Sequence, residues 1–71
     1  IKEILEALNV EISKMSDIDR RILILRRKFN YSYKEIEKMT GLRNEALRTR
    51  FYRANKVLMQ KVLEIVKIKN Q

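Results

Sequence analysis

Six basic side chains and one acidic side chain lie between Arg43 and Lys61. The basic residues are Arg43, Arg48, Arg50, Arg53, Lys56 and Lys61, and the acidic residue is Glu45. Arginine and lysine bind phosphate groups, and an arginine fork or a carboxylate can also read the edges of bases. A helix face that is merely solvated usually mixes the two signs more evenly, so this segment favours binding to a polyanion.

The composition of the whole chain supports the same interpretation. Its 71 residues include 17 Lys and Arg against 9 Asp and Glu, which gives a formal net charge of +8. A small domain this basic is expected to bind nucleic acid first and an acidic membrane surface second. The length predicts one domain, over residues 1–71, with a modest core.

The residue types that carry most enzymatic and metal chemistry are missing from the sequence. It contains no cysteine and no histidine, which removes thiolate chemistry, the commonest general base and the commonest metal ligands. We see no convergent set of carboxylates or lysines that would replace them. We therefore expect no enzymatic activity, no catalytic residue, no metal site and no cofactor.

The sequence carries no sign of a membrane or export segment. No stretch is apolar for long enough to span a bilayer, and no signal or transit peptide is visible. With no cysteine, the expectation is a cytoplasmic protein without a membrane partner. The chain begins with Ile rather than Met, and we expect it to be the C-terminal piece of a longer protein.

The elements that position the basic residues are predicted to be helices. One Gly and no Pro occur in the chain, which favours a small all-α domain of four helices joined by tight turns. Apolar spacing predicts a first helix that frays or bends before Met15 and a second over about Asp17–Phe29. It predicts a third helix over about Ser32–Met39 and a long fourth helix from near Asn44 to about Ile68.

Each helix is predicted to bury one apolar face. The residues assigned to these faces are Ile1, Ile4, Leu5, Leu8, Ile12 and Met15 in the first helix; Ile18, Ile22, Leu23, Ile24, Leu25 and Phe29 in the second; Tyr33, Ile36 and Met39 in the third; and Leu47, Phe51, Ala54, Leu58, Val62 and Ile65 in the fourth. Leu42 is expected to anchor the turn before the fourth helix.

Residues 32–52 have the outline of a helix-turn-helix, which is a short helix, a turn and a longer helix. Ser32 and Glu35 form the sequence pattern of a capping box, and Gly41 is the usual left-handed residue after a helix. In such motifs the second helix lays its N-terminal residues along the major groove of DNA. The exposed face of that helix is predicted to carry Arg43, Asn44, Glu45, Arg48, Thr49 and Tyr52.

Several short motifs resemble region 4 of bacterial sigma factors. Met15-Ser16-x-x-x-Arg20 is similar to the Leu-Pro-x-x-x-Arg opening of that region, and Gly41-Leu42 matches its turn. Ser32-Tyr33-Lys34-Glu35-Ile36 matches its Ser-Tyr-x-Glu-Ile. The run from Leu47 to Ala54 looks like the Val-Lys-Ser-Arg-Leu-x-Arg-Ala of alternative and extracytoplasmic-function sigma factors. The resemblance is strongest over residues 15–62.

The resemblance implies a domain that binds the −35 element of a promoter through its recognition helix. It also implies docking on the flap of the RNA polymerase β subunit, and an anti-sigma factor is a further partner that the family implies.

The resemblance assigns five residues to positions that face bases and phosphates, namely Arg43, Asn44, Glu45, Arg48 and Thr49. Glu45 would accept a hydrogen bond from cytosine N4, and Arg48 would bind guanine with its fork. The residues expected to contact phosphates are Arg50, Arg53, Lys56, Tyr52 and Ser32 at the start of the third helix.

The chain departs from the family pattern at four positions. Ser16 replaces the usual Pro, Glu37 the usual Ala, Thr40 an apolar residue, and Arg43 the usual Ser or Thr at the cap of the recognition helix. Asn44 is then an alternative cap, which would shift the start of that helix by one residue.

Two other functions stay open on the sequence alone. One is a helix-turn-helix regulator of another family that binds paired half-sites as a dimer. The other is a protein-interaction module with a degenerate helix-turn-helix, which Glu37, Thr40 and the apolar segment from Val57 to Ile68 motivate. For that apolar segment, we expect the first and fourth helices to cover each other and to complete the core.

Overall fold

The computed structural model describes the backbone of residues 2–69 and the side chains of residues 2–68. Over that range the chain forms four helices, and the predicted all-α fold is confirmed. The helices are α1 (Lys2–Ser13), α2 (Asp17–Arg27), α3 (Tyr33–Thr40) and α4 (Asn44–Lys69). The largest difference from the predicted boundaries is at the end of α2, which stops at Arg27 rather than Phe29.

Local side-chain chemistry determines where α2 and α3 begin. The Ser16 hydroxyl accepts a hydrogen bond from the backbone N–H of Asp19 at 3.3 Å, which satisfies a donor that has no carbonyl one turn earlier. Ser32 caps α3 in the same way, and the Glu35 carboxylate accepts from the Ser32 N–H, so the predicted capping box is present.

Two residues in the left-handed region turn the chain after α2 and α3. Asn30 has a φ of 56°, and the N–H of Tyr31 then donates to the carbonyl of Leu25 at 2.9 Å. Gly41 has a φ of 76°, as predicted, and its N–H donates to the carbonyl of Glu37 at 2.8 Å. Both turns satisfy carbonyls at a helix end while reversing the chain direction.

The core consists of two clusters that share Phe51. One lies between α2, α3 and α4, and its buried residues are Ile22, Leu25, Ile36 and Leu47. The other lies where α1 crosses α2 and α4, and its buried residues are Leu23, Ala54 and Leu58. The first cluster fixes the position of α4 relative to α3, and this fixes the geometry of the helix-turn-helix.

α1 covers only part of the apolar surface of α4. Leu8 and Ile12 pack against the second cluster, and Lys61 lies 3.9 Å from the Glu11 carboxylate. The C-terminal half of α4 nevertheless leaves apolar side chains in solvent, among them Leu63 at 67% exposure. The expectation that the two helices complete the core together is therefore only partly correct. Ile1 lies outside the described residues.

Four residues assigned to buried faces are exposed, and each has a geometric reason. Phe29 lies beyond the end of α2, so its ring is 55% exposed and stacks on Tyr31. Met39 is in the last turn of the short α3, past Ile36, the one residue of that helix that is buried. Leu5 and Ile24 lie at the margins of faces that are narrower than the sequence pattern predicts.

Candidate nucleic-acid interface

The turn between α3 and α4 holds the two helices of the motif together. The Thr40 hydroxyl donates to the Ile36 carbonyl at 2.7 Å and accepts from the Leu42 N–H at 3.3 Å. Leu42 packs against the first core cluster. Thr40 thus bonds to backbone on both sides of Gly41, which explains how a polar residue is accommodated where the family has an apolar one.

α4 begins at Asn44 with Arg43 in the N-cap place. The N–H of Leu47 donates to the Arg43 carbonyl at 3.0 Å, the first bond of the helix. The alternative start, with Asn44 as the cap, is therefore wrong. The side-chain amide of Asn44 instead contacts α3, where its Nδ2 donates to the Glu37 carboxylate at 3.3 Å.

The face of α4 opposite the core carries half of the predicted contact residues. At 3.6 residues per turn, Leu47, Phe51 and Ala54 share the inner face. The outward face carries Glu45, Thr49, Tyr52, Arg53 and Lys56, and all five are exposed. Tyr52 reaches 67% exposure. The reading face and the core face are therefore separated on one rigid element.

The cations around this outward face differ in their partners. Among the described residues, no carboxylate forms an ion pair with Arg43, Arg53 or Lys56. Arg50 lies toward α2, where its guanidinium is 3.1 Å from the Asp19 carboxylate. Asp19, Glu45, Thr49, Arg50 and Arg53 line a shallow groove beside this pair. Three cations are thus free to bind an anion, and a fourth is engaged on the protein.

Arg48 lies on the opposite margin of the outward face, next to α3. Its Nε donates to the Oδ1 of Asn44, and its Cζ is 4.8 Å from the centroid of the Tyr33 ring. The Cζ of Arg26 lies 4.4 Å from the same centroid. The roles of Tyr33 and Arg26 here were not predictable from the sequence, because no local pattern indicates which ring a guanidinium from another helix will contact.

The predicted phosphate site at the start of α3 is already used in part. The Ser32 hydroxyl accepts from Glu35 N–H at 3.1 Å, and the Ser32 N–H donates to the Glu35 carboxylate at 3.0 Å. The hydrogen bond from the Ser32 backbone N–H lowers the pKa of the Glu35 carboxyl, the Ser32 side chain lowers it further, and the charge of Lys38 adds to the effect. The N–H groups of Tyr33 and Lys34 are those that α3 still offers to an anion, since neither has a carbonyl one turn earlier.

Asp19 is a second feature that sequence analysis missed. It is 31 residues from Arg50 in the chain, and only the crossing of α2 and α4 brings the two together.

The described residues contain no helix that is long and apolar enough to cross a membrane.

A family model described as sigma-70 region 4 matches residues 3–58, which is well over half of the chain. No curated protein and no solved structure matches the chain.

Proposed function

Because the chain belongs to the sigma-70 region 4 family, we propose that it binds the −35 element of promoter DNA as part of a sigma factor. Members of this family are DNA-binding domains of transcription initiation and not enzymes. The observation that carries the proposal is the outward face of α4, where exposed polar and basic residues stand opposite a buried apolar face. We assign the domain to an alternative sigma factor of extracytoplasmic-function type on the resemblance of residues 47–54.

In the proposed complex the first turns of α4 enter the major groove. Glu45 accepts from cytosine N4, Arg48 binds guanine with Asn44 beside it, and Thr49 lies in the same base-facing region. These contacts carry the choice of sequence, since base edges and not phosphates differ between sites.

The remaining cations hold the domain on the phosphate backbone. Arg43, Arg53 and Lys56 have no ion-pair partner among the described residues and are available to phosphates. Tyr52 and the α3 start at Ser32 supply further contacts. Arg50 joins them by exchanging Asp19 for a phosphate, because an exposed ion pair is worth only about 0–1 kcal/mol.

The proposed protein partners are the β-subunit flap of RNA polymerase and an anti-sigma factor, and the proposed setting is the cytoplasm. Apolar side chains that α1 leaves uncovered on α4, Met59, Leu63 and Val66, support a partner surface in addition to the DNA face.

A selection of the domain against random duplex DNA, alone and fused to a β-flap segment, tests the proposal. We expect a single short asymmetric site, enriched more strongly by the fusion. A palindromic site would instead indicate a dimeric regulator of another family, and no enrichment in either format would favour a protein-interaction module.

A pair of triple variants with the same change in charge makes this test specific to the interface. Replacing Arg43, Arg53 and Lys56 by Gln should abolish enrichment, because three phosphate contacts are lost. Replacing Lys2, Lys14 and Lys67 by Gln removes three charges elsewhere and should leave the enriched site unchanged. Equal losses in both variants would contradict the assignment of the interface.

A further inference from the structure

The side chain of Asn44 connects α3 to the proposed guanine-binding residue. Its Nδ2 donates to the Glu37 carboxylate at 3.3 Å, and its Oδ1 accepts from the Nε of Arg48. The opposite orientation of the amide would place its carbonyl against a carboxylate and its N–H groups against a guanidinium. The acceptor on one side and the donor on the other therefore fix the amide as it stands, with its oxygen toward Arg48.

Arg48 is held at two places as a result. The Nε is bound by Asn44, and the guanidinium lies over the Tyr33 ring, with 4.8 Å between Cζ and the ring centroid. The side chain still remains exposed, so its terminal nitrogens are open to a ligand. A guanidinium fixed in direction loses less conformational freedom when it binds, which strengthens a directional contact.

Glu37 is the origin of this arrangement. It is half-buried in the angle between α3 and α4, at a position where helix-turn-helix proteins usually carry the small residue Ala. No ion pair satisfies its carboxylate among the described residues, and its hydrogen bond there goes to Asn44. An acceptor oxygen held against the Asn44 amide orients that amide, because the opposite orientation would bring two oxygens together.

We propose that Glu37 is a specificity-determining positioning residue, which sets the direction of Arg48 through Asn44. This inference rests on the proposed function, since Arg48 must contact a base for its direction to matter. In the free domain both ends of the Asn44 amide are engaged, so Asn44 acts through Arg48 and does not present the free amide edge that would bind adenine.

The test is the base preference of the domain at each position of its enriched site, compared between the wild type, Glu37→Ala and Glu37→Gln. At the position read by Arg48, Glu37→Ala should reduce the preference for the favoured base over the next best by about three- to tenfold. Glu37→Gln should stay within about twofold of the wild type, because the Gln carbonyl still accepts from Asn44 Nδ2. Preferences at the other positions should not change.

A double-mutant cycle separates positioning from a merely structural effect. In an Arg48→Ala background, Glu37→Ala should change the base preference by less than about twofold, because the residue through which it acts is gone. Asn44→Leu breaks the same connection without replacing a residue of α3 and should reproduce the loss seen in Glu37→Ala. Thermal unfolding followed by circular dichroism checks that each variant is folded. If Glu37→Ala is not folded, the base preference of Asn44→Leu tests the connection in its place.

Three results would overturn the inference. They are an unchanged preference in both Glu37→Ala and Asn44→Leu, a Glu37→Gln variant that loses as much as Glu37→Ala, and an undiminished Glu37→Ala effect in the Arg48→Ala background. In each case the wild type would still select a site, so the proposed function would stand. A wild type that selects no site would overturn both.

Discussion

At the scale of single residues, the cations of the interface fall into three groups that their surroundings define. Arg43, Arg53 and Lys56 have no ion-pair partner among the described residues, Arg50 is paired with Asp19, and Arg48 is held by Asn44 over Tyr33. A free cation and an oriented one serve different purposes, since the first adds affinity for any duplex and the second adds preference for one base.

Replacing Arg48 by Ala should cost about 1–3 kcal/mol of binding free energy on the enriched site and relax the choice at one base position. The reason is that an arginine fork on guanine supplies both affinity and discrimination. Competition binding with single-base variants of the site measures the effect. An equal loss on every sequence would show that Arg48 contacts only phosphate.

Replacing Lys56 by Ala should weaken binding by the same factor on all sequences and flatten the salt dependence of the logarithm of affinity by about 0.9. One phosphate contact fewer releases one counterion fewer, which is the physical basis of that slope. Lys2→Ala is the matched control, because it removes one exposed charge from α1. A change in base preference in Lys56→Ala, or the same flattening in Lys2→Ala, would contradict the assignment.

Helical periodicity was sufficient to predict the outward face of α4, because side chains on a single helix have fixed relative directions. It predicts Glu45, Thr49 and Tyr52 on the exposed face, as the structure has them. The pairs Arg50–Asp19 and Arg48–Tyr33 were not predictable in this way. They depend on how two helices cross, and a single sequence carries no record of that angle.

At the scale of elements, the signals that proved accurate are those in which a few neighbouring residues decide the outcome. The capping box of α3 and the left-handed Gly41 are both present as predicted. The end of α2 was placed two residues too late because Phe29 continues the apolar spacing. Asn30 adopts a φ of 56°, and the chain leaves the helix before that spacing ends.

Gly41→Ala should destabilise the domain by about 1 kcal/mol in urea unfolding. A Cβ added at Gly41 would meet no atom within 4 Å. The loss of stability therefore comes only from the backbone φ of 76°, which residues with a β-carbon rarely adopt. Gly41→Asn should cost less, because Asn tolerates the left-handed region. Equal destabilisation by Ala and Asn would show that the backbone conformation is not the cause.

The capping box should make the stability of α3 depend on pH. The pKa of Glu35 is lowered by its hydrogen bonds to Ser32, so the charged carboxylate stabilises the fold above the ordinary glutamate pKa of about 4.3. That contribution is lost as pH falls from there through the lower pKa of the folded state. Glu35→Gln keeps a hydrogen-bonding side chain but does not titrate.

Urea unfolding of the wild type and Glu35→Gln between neutral and acidic pH measures this contribution. The wild type should lose its advantage over the variant as pH falls through that window. A constant difference between the two proteins at all pH values would show that the charge of Glu35 contributes nothing to the cap.

At the scale of the whole molecule, the domain is a small core that carries a long, basic helix. α4 spans 26 residues, or roughly 39 Å, and the core clusters pack against its first half and its middle. The net charge of +8 favours approach to a polyanion from any direction. The geometry of α4 then decides which face makes the contact. The composition was sufficient to predict the attraction to a polyanion. The face that makes the contact depends on how α2 and α3 pack on α4.

In the proposed complex, DNA meets the outward face of the first half of α4 and the start of α3. Amide chemical shifts of the isotope-labelled domain, followed by NMR during titration with the enriched duplex at two salt concentrations, test it most directly. We expect the largest shifts on residues 43–56 and 32–34 and only small shifts on α1 and residues 60–68. Shifts concentrated on α1 and the C-terminal half of α4, with residues 43–56 unaffected, would contradict it.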